Sequence, residues 1–143
     1  LGLLTENQQQ MEDLVRQLGY EPSHNYLLVF KRMNNGAKVA VNLLLRIPSL
    51  GTSLVEKRHL LVFTPRGIVV HRLKKNGITE VCEASKVKNF RVRDGANNSV
   101  VIDFDYEGES FSFYSYKDFS MRMKYVAENL AALSANNFMG YAA

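Results

Sequence analysis

Residues 100–114 read VVIDFDYEGESFSFY, and this stretch decides the fold class. Val100, Ile102, Phe104 and Tyr106 alternate with Val101, Asp103 and Asp105. Beyond Glu107-Gly108, Phe111 and Phe113 alternate with Ser110, Ser112 and Tyr114. A period of two marks strands with one buried face. With Glu107-Gly108 as a two-residue loop, Phe104 falls opposite Phe111 and Ile102 opposite Phe113. Pattern and turn thus agree on one register, and a one-residue slip would carry every ring to the other face.

Working outward, the same signals recur. Strands are predicted over 26–33 and 37–46 around Asn34-Asn35-Gly36, where Asn-Gly suits a type I′ hairpin. That hairpin would set Phe30 against Val41 and Leu28 against Leu43. A second pair, 59–64 and 68–73, is joined by Thr64-Pro65-Arg66-Gly67. Pro and Gly there suit a type I turn with a following bulge, which pairs His71 with Leu61. Both faces of this pair are apolar near the turn, so burial on two sides is expected. Asn76-Gly77 reverses the chain, and strands over 78–83 and 87–93 follow.

Helices bracket the strands. Met11, Leu14, Val15 and Leu18 keep helical spacing after Thr5 and Gln8, which have capping-box spacing; Gly19 ends the helix. At the other end Phe119, Met123, Val126, Leu130 and Leu133 form one apolar stripe, with Ser115 and Asp118 as candidate caps. The expected fold is mainly β (α+β by helix content): an antiparallel barrel or sandwich of seven or eight strands with a short N-terminal helix and a C-terminal capping helix. Residues 1–25 are the helix and lead-in, 26–134 the barrel with its capping helix, and 135–143 a mobile tail.

Composition narrows the class further. At 143 residues, 46% hydrophobic and 22% charged, the chain reads as one globular domain, not a disordered or fibrous one. The single Cys82 excludes an internal disulfide framework and a cysteine zinc site, and fits a reducing, cytoplasmic setting. No apolar run approaches the roughly 18–20 residues that span a bilayer, and the polar stretch 5–10 is unlike a signal peptide. The net charge of +4 hides a split: residues 31–93 hold 14 Lys and Arg against 3 acids, while 94–109 hold five acids and no base. Pairing of opposite charges across neighbouring strands, at roughly 0.2–1 kcal/mol each, is the preferred reading. An anionic partner and head-to-tail self-association are the sharper ones.

Residues 60–70, LLVFTPRGIVV, place a strand pair around a Thr-x-Arg-Gly turn. Residues 83–87, EASKV, then give a Ser-containing step before another strand, a two-strand hairpin and a helix. This order resembles the bacterial pleckstrin-homology-like (PH-like) domain family over roughly residues 26–134. The added N-terminal helix and the long connection over 46–58 depart from it. The resemblance implies a non-enzymatic scaffold that binds protein partners or itself. Alternatives are peripheral binding to anionic membrane lipids, and a small ligand carrier or enzyme with a barrel cavity.

Candidate contacts follow. Lys31, Arg32, Lys38 and Arg46 bracket the first predicted hairpin with no acid among them, and could meet an anionic partner. A solvated hairpin is the preferred reading, since Lys31 and Arg32 point to opposite faces. Ile47, Leu50, Leu54 and Val55 make the 46–58 connection unusually apolar, either to plug a barrel end or to form an interface. Asp103, Asp105 and Glu107 mimic the start of a calcium loop, but Tyr114 stands where the closing Glu belongs, so no metal site is expected. His24, His59 and His71 lack ligand spacing. No nucleophile, base and orienter assemble, and no cofactor is implied. Phe90, Phe104, Phe111 and Phe113 sit at inward positions, which argues for core packing over nucleic-acid stacking.

Overall fold

Alternation and turn chemistry generate most of the observed elements. The computed structural model of the chain describes residues 7–32, 58–74, 76–117 and 123–142. In chain order the elements are α1 (Gln8–Gln17), β1 (Tyr26–Lys31), β2 (Arg58–Thr64), β3 (Gly67–Arg72), β4 (Thr79–Glu83), a 3-10 turn (Ala84–Lys86), β5 (Val87–Asp94), β6 (Ser99–Tyr106), β7 (Glu109–Tyr116) and α2 (Lys124–Ala135). Among the described residues the strands form one antiparallel sheet in the order β4-β3-β2-β1-β7-β6-β5. A barrel or sandwich is expected from sequence; among the described residues hydrogen bonding runs as an open sheet with β4 and β5 at its ends.

The β6–β7 register matches the expectation: Phe104 faces Phe111 and Ile102 faces Phe113. Its loop residues Glu107 and Gly108 both have positive φ, 51° and 81°, as a type I′ turn requires. The β2–β3 turn differs. Thr64 pairs directly with Gly67, so no bulge follows and His71 faces Leu60, not Leu61. The Thr64 hydroxyl accepts from the Arg66 and Gly67 amides (3.2 and 3.1 Å), which closes a two-residue loop without an extra residue.

Leu28 of β1 faces Leu60, and Phe30 has Arg58 on one side and Tyr114 on the other. The strand is buried on both faces. Tyr26, Leu27, Leu28, Val29 and Phe30 are all buried, so β1 needs a neighbour that is apolar on both faces as well, and β2 is. Residues 37–46 lie outside the described residues.

Opposite residues of a ladder share a face, so the register sorts the side chains. One face carries Leu27, Leu61, Phe63, Ile68, Cys82, Ile102, Phe104, Phe111 and Phe113, all buried. The other is apolar and buried at Tyr26, Leu28, Leu60, Val62 and Val69, then turns polar along β5, β6 and β7. A bulge in β5 serves the Phe-rich face. Lys88 faces Asp105 and Arg91 faces Asp103, leaving one extra residue, and Asn89 absorbs it with φ of 56°. Phe90 can then stack on Phe104 at 6.0 Å.

The α1 helix is capped by Asn7 and Gln10 in a reciprocal capping box, two residues later than Thr5 and Gln8 would give. Gly19, at φ 97°, closes it as a Schellman motif: its amide reaches the Arg16 carbonyl and the Tyr20 amide reaches Val15. The α2 helix buries Val126, Leu130 and Leu133 as expected, but starts at Lys124 without a side-chain cap. Ser115 belongs to β7, where its hydroxyl donates to the Leu28 carbonyl (3.0 Å); Asp118 and Phe119 lie outside the described residues.

Residues 136–142 fold back in place of the expected mobile tail. Asn137, Phe138 and Met139 all take positive φ, which costs roughly 1–2 kcal/mol per residue. Two aromatic anchors offset that cost. Phe138 is buried against Phe63 and Phe90, and the Tyr141 hydroxyl donates to the Thr64 carbonyl at 2.7 Å. Phe104→Ala and Phe138→Ala are each expected to lower stability by about 3–5 kcal/mol in urea unfolding. A change within about 0.5 kcal/mol for Phe138→Ala would show that the turn is not docked in solution.

Candidate functional site

The segregated charge of the sequence becomes a ladder on the sheet. Arg91 faces Asp103, and the Arg93 Nε lies 3.3 Å from an Asp103 oxygen, whose other oxygen accepts from Ser112. Asp105 accepts from Asn89 (2.8 Å) and Ser110 (2.9 Å), and these bonds lower its pKa, Asn89 foremost. Lys86 meets Glu107 at 3.0 Å, and Lys117 meets Asp94 at 2.7 Å. The three acids that mimic the start of a calcium loop, Asp103, Asp105 and Glu107, are therefore all engaged by neighbouring side chains, as is Asp94. Among the described residues no group of three or more His, Cys, Asp or Glu could hold a metal ion.

A basic pole lies where β1 ends and β2 begins. Residues 26–32 and 58–74 hold Lys31, Arg32, Arg58, Arg66, Arg72 and Lys74 and no acid. The register divides the cations of this pole, however. Arg58 is opposite Phe30, on the Tyr26 face, while Arg72 is opposite His59, on the Phe-rich face with Lys31. Lys31 is exposed, Arg32 is half-buried, and Arg58 is buried, which lowers its pKa through desolvation. Lys38, Arg46, Ile47, Leu50, Leu54 and Val55 lie outside the described residues.

A groove of about 370 Å³ lies between β5 and α2. Val92, Asp94 and Val100 form its floor, Ala127, Leu130, Ala131 and Ser134 its helical wall, and Lys117 its end. Among the described residues the strand beside it, β5, is the last of the sheet. The Gly95 amide donates to the Ser99 carbonyl (2.9 Å), so alternation turns the backbone groups of Val92 and Asp94 outward. Sequence reading missed this site. Its signal was the small residues Ala127, Ala131 and Ser134 on one helical face, which leave room where larger side chains would fill it.

A buried polar network was missed too. The Tyr26 hydroxyl donates to Glu12 at 2.6 Å, which lowers the Glu12 pKa, while burial foremost raises that of Tyr26. The Asn129 amide donates to the Tyr26 carbonyl (3.0 Å), and its oxygen bonds the His24 ring (2.8 Å). The signal was Asn129 itself, a polar residue between Val126 and Leu130 of an apolar stripe. This network joins α1, β1 and α2.

Comparison of the chain with protein-family models, characterised proteins and solved structures finds no match. No helix among the described residues is long and apolar enough to cross a membrane.

Cys82 is fully buried opposite Ile68. Burial, with smaller contributions from Glu80, Glu109 and Glu107, pushes its thiol from 9.0 up to about 12. The folded protein therefore holds this proton where the unfolded chain releases it. The associated stability is full below pH 9.0 and is lost as pH rises to about 12. A thiol reagent at pH 8 should leave the native protein unmodified and label it fully in denaturant. Rapid labelling of the native protein would show that Cys82 is accessible.

Proposed function

We propose that the chain is a non-enzymatic interaction module on a bacterial PH-like scaffold, and that it takes an extended segment of a partner protein along the outer edge of β5. The order of elements after the Thr64–Gly67 turn supports the scaffold: a strand, a step at Ser85, a further strand, a two-strand hairpin and a closing helix. The observation that carries the function is the meeting of a strand edge with a groove. Val92 and Asp94 present outward backbone groups, and their side chains line the groove against α2. A strand added there gains main-chain hydrogen bonds, while alternate side chains enter the groove.

The chemistry of the partner follows from the two faces. Lys88, Arg91 and Arg93 lie on the ladder face of β5, so acidic side chains suit that side. Small apolar side chains suit the groove. The space a ligand carrier would use is filled by rings: Phe63, Phe90, Phe104 and Phe138 lie within 6.0 Å of a neighbouring ring. A cytoplasmic setting belongs to the same reading and is supported by the buried thiol of Cys82.

The test is an NMR titration of the isotope-labelled full chain with a synthetic peptide of alternating Glu and Val. Shifts are expected at Val92, Asp94, Ala127 and Ala131, weakening with salt and absent in Ala131→Trp, which fills the groove. An alternating Lys and Val peptide should bind more weakly. No shifts with the acidic peptide would overturn the β5 reading. Shifts centred on Lys31 and Arg32 with phosphatidylserine vesicles, and none with peptide, would establish the membrane reading in its place.

A further inference from the structure

The opposite end of the sheet has a different character. Of the three large apolar side chains most exposed among the described residues, two lie at β4: Ile78 at 75% and Val81 at 46%. Edge strands of soluble proteins are normally blunted by lysine, proline or a bulge. The β5 edge has such devices in Lys88, Arg91, Arg93 and the Asn89 bulge. The five residues of β4, TEVCE, have no lysine, arginine, proline or bulge, and their charges are the acids Glu80 and Glu83.

The backbone of β4 shows which groups are available. The Arg72 amide donates to the Ile78 carbonyl (3.0 Å), and the Ala84 amide to the Arg66 carbonyl (2.8 Å). Even-numbered residues thus turn inward to β3, and Thr79, Val81 and Glu83 turn their amides and carbonyls outward. Among the described residues β4 pairs with β3 alone.

We infer that this edge pairs with the same edge of a second copy of the chain, antiparallel, about a two-fold axis through Val81. In that register the outward-facing residues meet one another: Val81 opposes Val81 of the second copy, and Thr79 opposes Glu83. Each such pair exchanges both backbone hydrogen bonds. Glu80 falls opposite Cys82, so no acid directly faces an acid, and Ile78 falls opposite Ala84. The strand is therefore self-complementary, as a closed two-fold interface requires. Pairing β4 with the basic β5 edge would match charge too, but it is head-to-tail and would add copies without closing. The inference is independent of the β5 groove, which the two-fold pairing leaves open.

Sedimentation velocity on the full chain across a dilution series tests it. The mass is expected to move from monomer to dimer with concentration and to stop there. Val81→Lys should hold the protein as a monomer with an unchanged circular dichroism spectrum. Val81→Cys should form a disulfide-linked dimer on mild oxidation, with the link mapped by mass spectrometry to position 81, because directly opposed strand residues lie within disulfide reach. This second variant decides the matter if Val81→Lys fails to fold. A concentration-independent monomer, a dimer untouched by Val81→Lys, a failure to cross-link at position 81, or a mass growing past the dimer would each overturn the two-fold pairing.

Discussion

Every part of the molecule depends on β1, whose six residues must satisfy two strands and two helices at once. The Asn25 carbonyl accepts from the Phe63 amide (2.8 Å), so Leu27 and Val29 turn their backbone groups to β2. Tyr26, Leu28 and Phe30 turn theirs the other way. There the β7 ladder pairs with Phe30 and Lys31, and the Arg32 amide donates to the Ser112 carbonyl (2.8 Å); earlier in the strand side chains serve instead, Asn129 donating to the Tyr26 carbonyl and Ser115 to that of Leu28. An unpaired buried carbonyl at either position would cost roughly 1–3 kcal/mol. Two polar residues in otherwise apolar settings thus let one short strand hold the β4–β1 and β7–β5 halves together.

The ladder on β5, β6 and β7 uses part of the chain's charge internally. Exposed ion pairs of this kind contribute little stability, about 0–1 kcal/mol each. They do neutralise Asp94, Asp103 and Glu107 against Lys117, Arg93 and Lys86. The two ends of the described sheet are built differently. One is basic, bulged and backed by a groove; the other is short, acidic and apolar at Val81. That contrast underlies our two proposals, a foreign segment at the first edge and a second copy at the second.

Local signals were legible wherever pattern and turn agreed. The β6–β7 register, the Gly19 helix stop, the buried Cys82 and the apolar stripe of α2 were all readable from spacing. Partners distant in sequence were not. Nothing local to Leu28 indicates Leu60 as its neighbour in the ladder. The choice rests on burial of β1 and β2 on both faces, a property of the assembled sheet. The docked turn at 136–142 was hidden for a related reason. Asn137, Phe138 and Met139 read as fraying residues until the Phe63 and Phe90 rings are placed beneath them. The β5 groove was invisible because it is made of what α2 lacks, bulk at Ala127 and Ala131. Of the charge split between 31–93 and 94–109, cross-strand pairing accounts for Arg93 with Asp103, while the cations of 31–32 and 58–74 gather at a pole with no acid in their segments.

The dependence on β1, and the openness of the two sheet ends, meet in one measurement: native-state hydrogen exchange of the full chain at low protein concentration. The amides of Leu27 and Val29 should exchange only through global unfolding, with the same free energy as the β6–β7 hairpin. The outward amides of Thr79, Val81, Val92 and Asp94 should exchange with little protection. Exchange of Leu27 and Val29 at a lower free energy than the hairpin would mean that the two halves of the sheet open separately. Strong protection of the outward amides in the monomer would mean that the sheet ends are already occupied. Either result would contradict a sheet joined at β1 and open for binding at its edges.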